Sequence, residues 1–186
     1  MTDRTTAPLR NVTITSLEMR ARPKRSGARP PLFKRPVMLL RAECPTVSFY
    51  RYLYNTIGRD WYWYERRQMD DETLATFIHD AKVAVYVLYV GGVPAGYVEI
   101  DSRRHPSIEI SYLGLMPEFV GRGLGRYLVN WAVDTAWGMD PQRIWIHTCD
   151  LDHPAALPLY QKVGFTAFNQ ERIAIPDPHI MECFQS

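Results

Sequence analysis

Residues 12–19 read Val-Thr-Ile-Thr-Ser-Leu-Glu-Met, a β-branched run in which apolar and polar positions alternate, and this predicts a strand. Residues 36–41 read as a second strand. The intervening residues 20–36 are rich in Arg, Lys and Pro, which predicts a loop of the solvated kind found at hairpin tips. From Val47 to Asp80 two short helices are predicted, the second opened by Asp70-Asp71-Glu72 and ending near His79. This stretch carries Tyr50, Tyr52, Tyr54, Trp61, Tyr62, Trp63 and Tyr64, interrupted by Gly58-Arg59-Asp60, so its aromatics divide between core anchors and the wall of a pocket.

Residues 83–90 and 95–100 flank Gly91-Gly92-Val93-Pro94 and predict a β-hairpin. A further strand follows over residues 107–113. Simple alternation sets Glu109, Ser111 and Leu113 on one face, with Ile108, Ile110 and Tyr112 on the other. Leu124, Leu128, Trp131, Ala132 and Ala136 have the spacing of a helix with one buried side. Residues 143–149 predict a strand, Pro154 to Val163 a helix stopped at Gly164, and 165–175 a last strand. There is no internal repeat. The order of elements predicts one mixed α/β (α+β) domain over residues 1–186, built on a single, largely antiparallel sheet flanked by helices.

Composition narrows this little. A chain of 186 residues with 46% hydrophobic and 23% charged residues can bury one core, and a formal charge of +2 gives no bulk argument for nucleic acid. Cys44, Cys149 and Cys183 show no C-x-x-C spacing, which fits a reducing compartment better than a disulfide framework. No window reaches the ~18 apolar residues of a membrane span, and a cytoplasmic location is expected. His147, Cys149 and His153 match no zinc spacing, so no metal is expected. A nucleophilic Cys149 beside His147 lacks a third group to orient the pair.

The candidate chemistry lies at Val120-Gly121-Arg122-Gly123-Leu124-Gly125-Arg126, between a predicted strand and a predicted helix. A glycine-rich turn there points successive N–H groups and the positive end of the helix dipole at one spot, which suits a pyrophosphate. Arg122 and Arg126 add charge. The spacing is neither that of the P-loop nor that of the dinucleotide fingerprint.

Residues 113–128 around that turn, and Ala156-Leu157-Pro158-Leu159-Tyr160-Gln161-Lys162-Val163-Gly164-Phe165 further on, resemble the GNAT (general N-acetyltransferase) superfamily. The first matches its Gln/Arg-x-x-Gly-x-Gly/Ala signature and the second its Ala-x-x-Leu-Tyr-x-Lys-x-Gly-Phe helix. The resemblance covers about residues 83–165, and the first eighty residues follow only its general layout, with residues 12–42 as its N-terminal strands. It implies acetyl-CoA as co-substrate, with pantetheine along the backbone of Leu113 and Leu115 where two strands splay. It also implies pyrophosphate on the amides from Gly121 to Arg126, and Tyr160 as donor to the leaving thiolate. Glu109 falls where some members place a general base, and Glu99 on the neighbouring strand is its rival. The sequence departs from the pattern at Val120, where the signature has Gln or Arg, and at His153, where many members have Asn.

The resemblance thus implies an N-acetyltransferase that moves an acetyl or short acyl group to a primary amine by direct attack in a ternary complex. A non-catalytic acyl-CoA sensor of the same fold is the alternative, and an RNA-binding protein acting through residues 20–36 is a third reading. The expected partner is a small-molecule amine or peptide amine, with neither nucleic acid nor membrane, and a homodimer is compatible. Glu99, Asp101 and Glu109 beside aromatics suggest a cationic acceptor.

Overall fold

The computed structural model describes residues 9–176, so Cys183 lies outside the described residues. The β-branched runs become strands β1 (Leu9–Met19), β2 (Val37–Arg41), β3 (Val83–Val90), β4 (Val93–Asp101), β5 (Ser107–Leu115), β6 (Arg143–Cys149) and β7 (Thr166–Pro176). They form one sheet in the order β2-β3-β4-β5-β6-β1-β7. Every pair is antiparallel except β5–β6. Helices α1 (Val47–Gly58) and α2 (Asp71–Ile78) cover one face, α3 (Leu124–Trp137) and α4 (Ala156–Val163) the other.

Local signals explain the boundaries. Thr46 caps α1 by accepting from the Phe49 amide at 3.3 Å, and Asp70 caps α2 by accepting from Thr73 at 2.7 Å. Gly91 and Gly92 both have positive φ, 61° and 84°, as the tight β3–β4 hairpin demands. Gly164, at φ 115°, stops α4.

Two expectations are corrected. The basic segment 20–36 is no hairpin tip, because β1 and β2 stand at distant positions in the sheet with β3 to β6 between them. The segment is a strap across the α3 face. Arg25 pairs with Asp134 at 3.0 Å and donates to the Asn130 carbonyl at 3.1 Å, the Ala28 amide donates to Asp134 at 2.8 Å, and Pro31 lies against Gly123. The strap therefore climbs α3 from its C-terminal half to its first residue, then reaches the β3–β4 turn, where the Arg35 side chain packs on Gly91.

The second correction concerns β5. Its register with β4 shifts between Glu99 and Ile100: Glu99 faces Tyr112, whereas Ile100 faces Ile110, so Ser111 is the extra residue of a bulge. A bulge reverses the side-chain alternation. Ile108 and Ile110 join the core under α3 with Leu113, while Tyr112 packs with the α1–α2 aromatics. Glu109 stays opposite the isoleucines, but Leu113 does not share its face.

The pairing of β5 with β6 runs only from Ser107/Arg143 to Glu109/Trp145. Beyond it the two strands part, and the C-terminal half of β5, including Leu113 and Leu115, has a sheet partner only in β4. Parting follows from the bulge, which bends β5 and increases its local twist.

Candidate active site

A cleft of about 440 Å³ runs through the gap between β5 and β6. One end is the turn that opens α3. Gly121 and Gly123 have φ of 78° and 79°, a conformation costing a residue with a Cβ ~1–2 kcal/mol, so the glycines there are dictated by the backbone. Val120, Gly121, Gly123, Gly125 and Arg126 line this end. The Leu124 side chain is fully buried beneath α3, which leaves only its amide to the turn. The Arg122 guanidinium lies 5.6 Å above the Phe119 ring. The first amides of a helix have no intrahelical acceptor, and here they stand beside Arg126 at the positive end of a 14-residue helix. These residues fit a phosphate group.

In the middle of the cleft stand Leu113, Leu115 and Tyr160. Tyr160 is held by α4 with its ring edge-on to Phe165, 6.4 Å between centroids. Its hydroxyl has no hydrogen-bond partner among the described residues. Burial, followed by the charge of Asp152, raises its pKa, so the phenol holds its proton at neutral pH. His153 lies at the start of α4, where Nδ1 accepts from the Ala155 amide at 3.1 Å and the ring packs on Trp61 at 4.8 Å.

The opposite end is built by the segment after α1, Trp61 to Glu65, standing over β6, β1 and β7 where no helix covers the sheet. The aromatics foreseen as core or pocket divide between the two, except Tyr52, which is exposed on α1. Tyr50 and Tyr54 are core, while Trp61, Tyr62, Trp63 and Tyr64 line the cleft. Glu65 accepts a hydrogen bond from the Tyr112 hydroxyl. Asp152 is fully engaged, accepting from Thr148 at 2.7 Å, from the Cys149 amide at 3.0 Å and from the Trp63 indole at 3.4 Å.

The two acidic candidates have different fates. Glu99 is wholly buried, accepts from Tyr50 at 2.6 Å and from Arg66 at 2.8 Å, and does not line the cleft. Burial pushes its pKa up, against the opposing pull of Arg66 and Tyr50. Asp101 is likewise neutralised, by Arg103 at 2.6 Å. Neither has a carboxylate to spare for a cationic acceptor.

Glu109 stands behind the cleft wall, and its Oε1 lies 3.5 Å from Nδ1 of His147. His147 does line the cleft, and its pKa is raised, first by the Glu109 carboxylate beside it. The pairing was hidden in the sequence, because the two residues become neighbours only through the parallel register Glu109↔Trp145. Glu65 was missed because it lies in the irregular segment after α1 and meets the cleft through Tyr112, 47 residues away. Cys149 also lines the cleft, but burial pushes its thiol up to about 11, so it stays protonated at neutral pH. Among the described residues there is no group of three or more His, Cys, Asp or Glu placed to hold a metal, and no helix is long and apolar enough to cross a membrane.

An open sheet whose central parallel pair splays beside a glycine turn opening a helix is the GNAT architecture. The chain belongs to the acetyltransferase (GNAT) family, whose model matches residues 50–165. A mycothiol acetyltransferase from Streptosporangium roseum is 33% identical over 87 residues, covering 47% of this chain and 24% of the relative. A GCN5-related N-acetyltransferase from Sphaerobacter thermophilus superposes with a TM-score of 0.61 at 12% identity, over 91% of this chain and 53% of that one. Aminoglycoside N-acetyltransferase AAC(6')-Iy, solved in complex with CoA, gives 0.54 at 20% identity, over 76% and 95%. At these identities the structural likeness is one of fold. The chain thus spans about a quarter of the curated relative and about half of the Sphaerobacter protein.

Proposed function

We propose that this chain transfers an acetyl or other short acyl group from CoA to a primary amine in a ternary complex. The observation that carries the reading is the splay of β5 from β6, which joins a phosphate-fitting turn to an aromatic end in one continuous cleft. CoA would lay its pyrophosphate on the amides from Gly121 to Arg126 and its pantetheine arm along Leu113 and Leu115. His147 takes the ammonium proton at the ring nitrogen turned away from Glu109, and Glu109 acts through it as a positioning residue. The freed amine attacks the thioester carbonyl, the C–N bond forms, and the C–S bond breaks. Tyr160 donates a hydrogen bond to the developing thiolate, and the second proton that the nitrogen sheds as it becomes an amide neutralises the sulfur, so that CoA leaves as the thiol. Because burial raises its pKa, the phenol works as a donor before it works as an acid.

A non-catalytic sensor has no use for a free phenol at the centre of the cleft or for a carboxylate-backed histidine facing it. Thiol release from acetyl-CoA in the presence of amines, beside thermal stabilisation of the same sample by CoA, separates the readings. Stabilisation with thiol release is the expected result. Stabilisation without release from any amine would favour the sensor.

A further inference from the structure

The acceptor end of the cleft has a definite chemical bias. Its floor is the uncovered face of β1 and β7, where Val12, Ile14, Ile173 and Ile175 present aliphatic side chains, and its roof is the aromatic run beginning at Trp61. Polar groups are few and placed on one side. Asp152 has spent both carboxylate oxygens within the protein. The ionisable groups left for a cationic head are the Glu65 oxygen not held by Tyr112 and His147 beside Glu109, while Tyr64 and His153 are further polar side chains on the lining.

We infer that the acceptor is a small arylalkyl or alkyl amine with a single cationic head and an apolar body. This rests on the acyl-transfer reading above. An ammonium group is held between Glu65 and His147, within reach of the thioester, and its apolar remainder lies between the aliphatic floor and the aromatic roof. A polyhydroxylated or polycationic acceptor is disfavoured, because each hydroxyl or extra ammonium laid on the aliphatic floor would lose water without gaining a partner there, at ~1–3 kcal/mol per neutral group and more per charge. Size agrees. The cleft of about 440 Å³ is at the small-molecule scale, and the pantetheine arm takes part of it.

The test compares phenethylamine, spermidine and kanamycin as acceptors for the unmodified protein with acetyl-CoA, read as kcat/KM for thiol release. Phenethylamine is expected to lead by at least tenfold. In Ile173→Thr, which keeps a β-branched residue in the strand but makes the floor polar, its KM should rise several-fold with kcat little changed. Equal or better transfer to spermidine or kanamycin would overturn the acceptor class and leave acyl transfer standing. CoA stabilisation with no release from any amine would overturn both. Should Ile173→Thr fail to fold, the comparison of the three amines on the unmodified protein still decides.

Discussion

The two faces of the sheet bury their surface in different ways. Beneath α3 and α4 the core is almost wholly aliphatic, with Leu88, Val98, Ile100, Ile108, Ile110, Leu124 and Leu128 at its centre. Beneath α1 and α2, Tyr50, Tyr54, Tyr97 and Tyr112 join aliphatic residues such as Leu53, Ile57 and Leu74 beside the buried Glu99–Arg66 pair. There the Arg66 guanidinium also lies 3.8 Å above the Phe77 ring, and the Tyr97 hydroxyl and Arg66 Nε are buried without hydrogen-bond partners among the described residues. The aliphatic face supports a turn whose chemistry is carried by backbone amides. The polar face supports the end of the cleft proposed to take the acceptor. One face can therefore be recognised from a short motif, whereas the other has to be assembled from residues far apart in the chain.

The sharpest way to break this comparison is to remove Glu99, which leaves Arg66 charged and uncompensated in the interior. Glu99→Ala should cost ~3–5 kcal/mol of unfolding free energy in urea titration. A Glu99→Met, Arg66→Met double variant should recover most of that loss. A cost below about 1 kcal/mol for the single change would mean that water reaches the pair.

Tyr160→Phe tests the aliphatic face and should lower kcat by ~10²-fold or more with little change in CoA affinity. A full-rate variant would return Tyr160 to packing alone.

Gly125 is a cleaner probe of the phosphate end than Gly123, whose positive φ would strain any replacement. A Cβ at Gly125 meets Leu115 and Leu159 only at 3.7 and 3.8 Å, an ordinary contact. Gly125→Val should fold yet weaken CoA binding at least tenfold by calorimetry. Unchanged binding would move the phosphates elsewhere.

The smallest expected effect is a pH shift. Glu109 raises the His147 pKa, and the base must be neutral, so kcat/KM should rise with pH through an inflection above the ordinary 6.5 of histidine. In Glu109→Gln that inflection should fall toward 6.5, with kcat at high pH largely retained. An unmoved inflection would separate Glu109 from the base.

Much of this molecule was legible in the sequence. Each strand and helix announced itself through alternation, periodicity or a glycine stop, and the glycine turn that lines one end of the cleft lay in one unbroken motif. The illegible parts share a cause. Leu113 and Tyr112 exchange faces because of one extra residue at Ser111, which no alternation rule reveals. His147 meets Glu109 through a pairing of strands separated by a whole helix. Residues 20–36 could be read as a loop, but not as one that crosses the sheet, since its anchor Asp134 lies 109 residues from Arg25.

That strap also bears on how the fold is reached. Its starting strand, β1, is an 11-residue β-branched segment whose partners are β6 and β7, and its Thr13 amide bonds Asp150 across 137 residues. During synthesis β3, β4 and β5 can zip together from neighbouring hairpins while β1 waits with both edges bare. Closing so long a loop is entropically slow, and a bare strand edge invites pairing with the wrong chain in the meantime. The wedge of β1 between β6 and β7 therefore ties completion of the sheet to β7, the last of the described strands. Folding yield in a crowded cell, rather than the stability of the finished molecule, is where this arrangement exacts its cost.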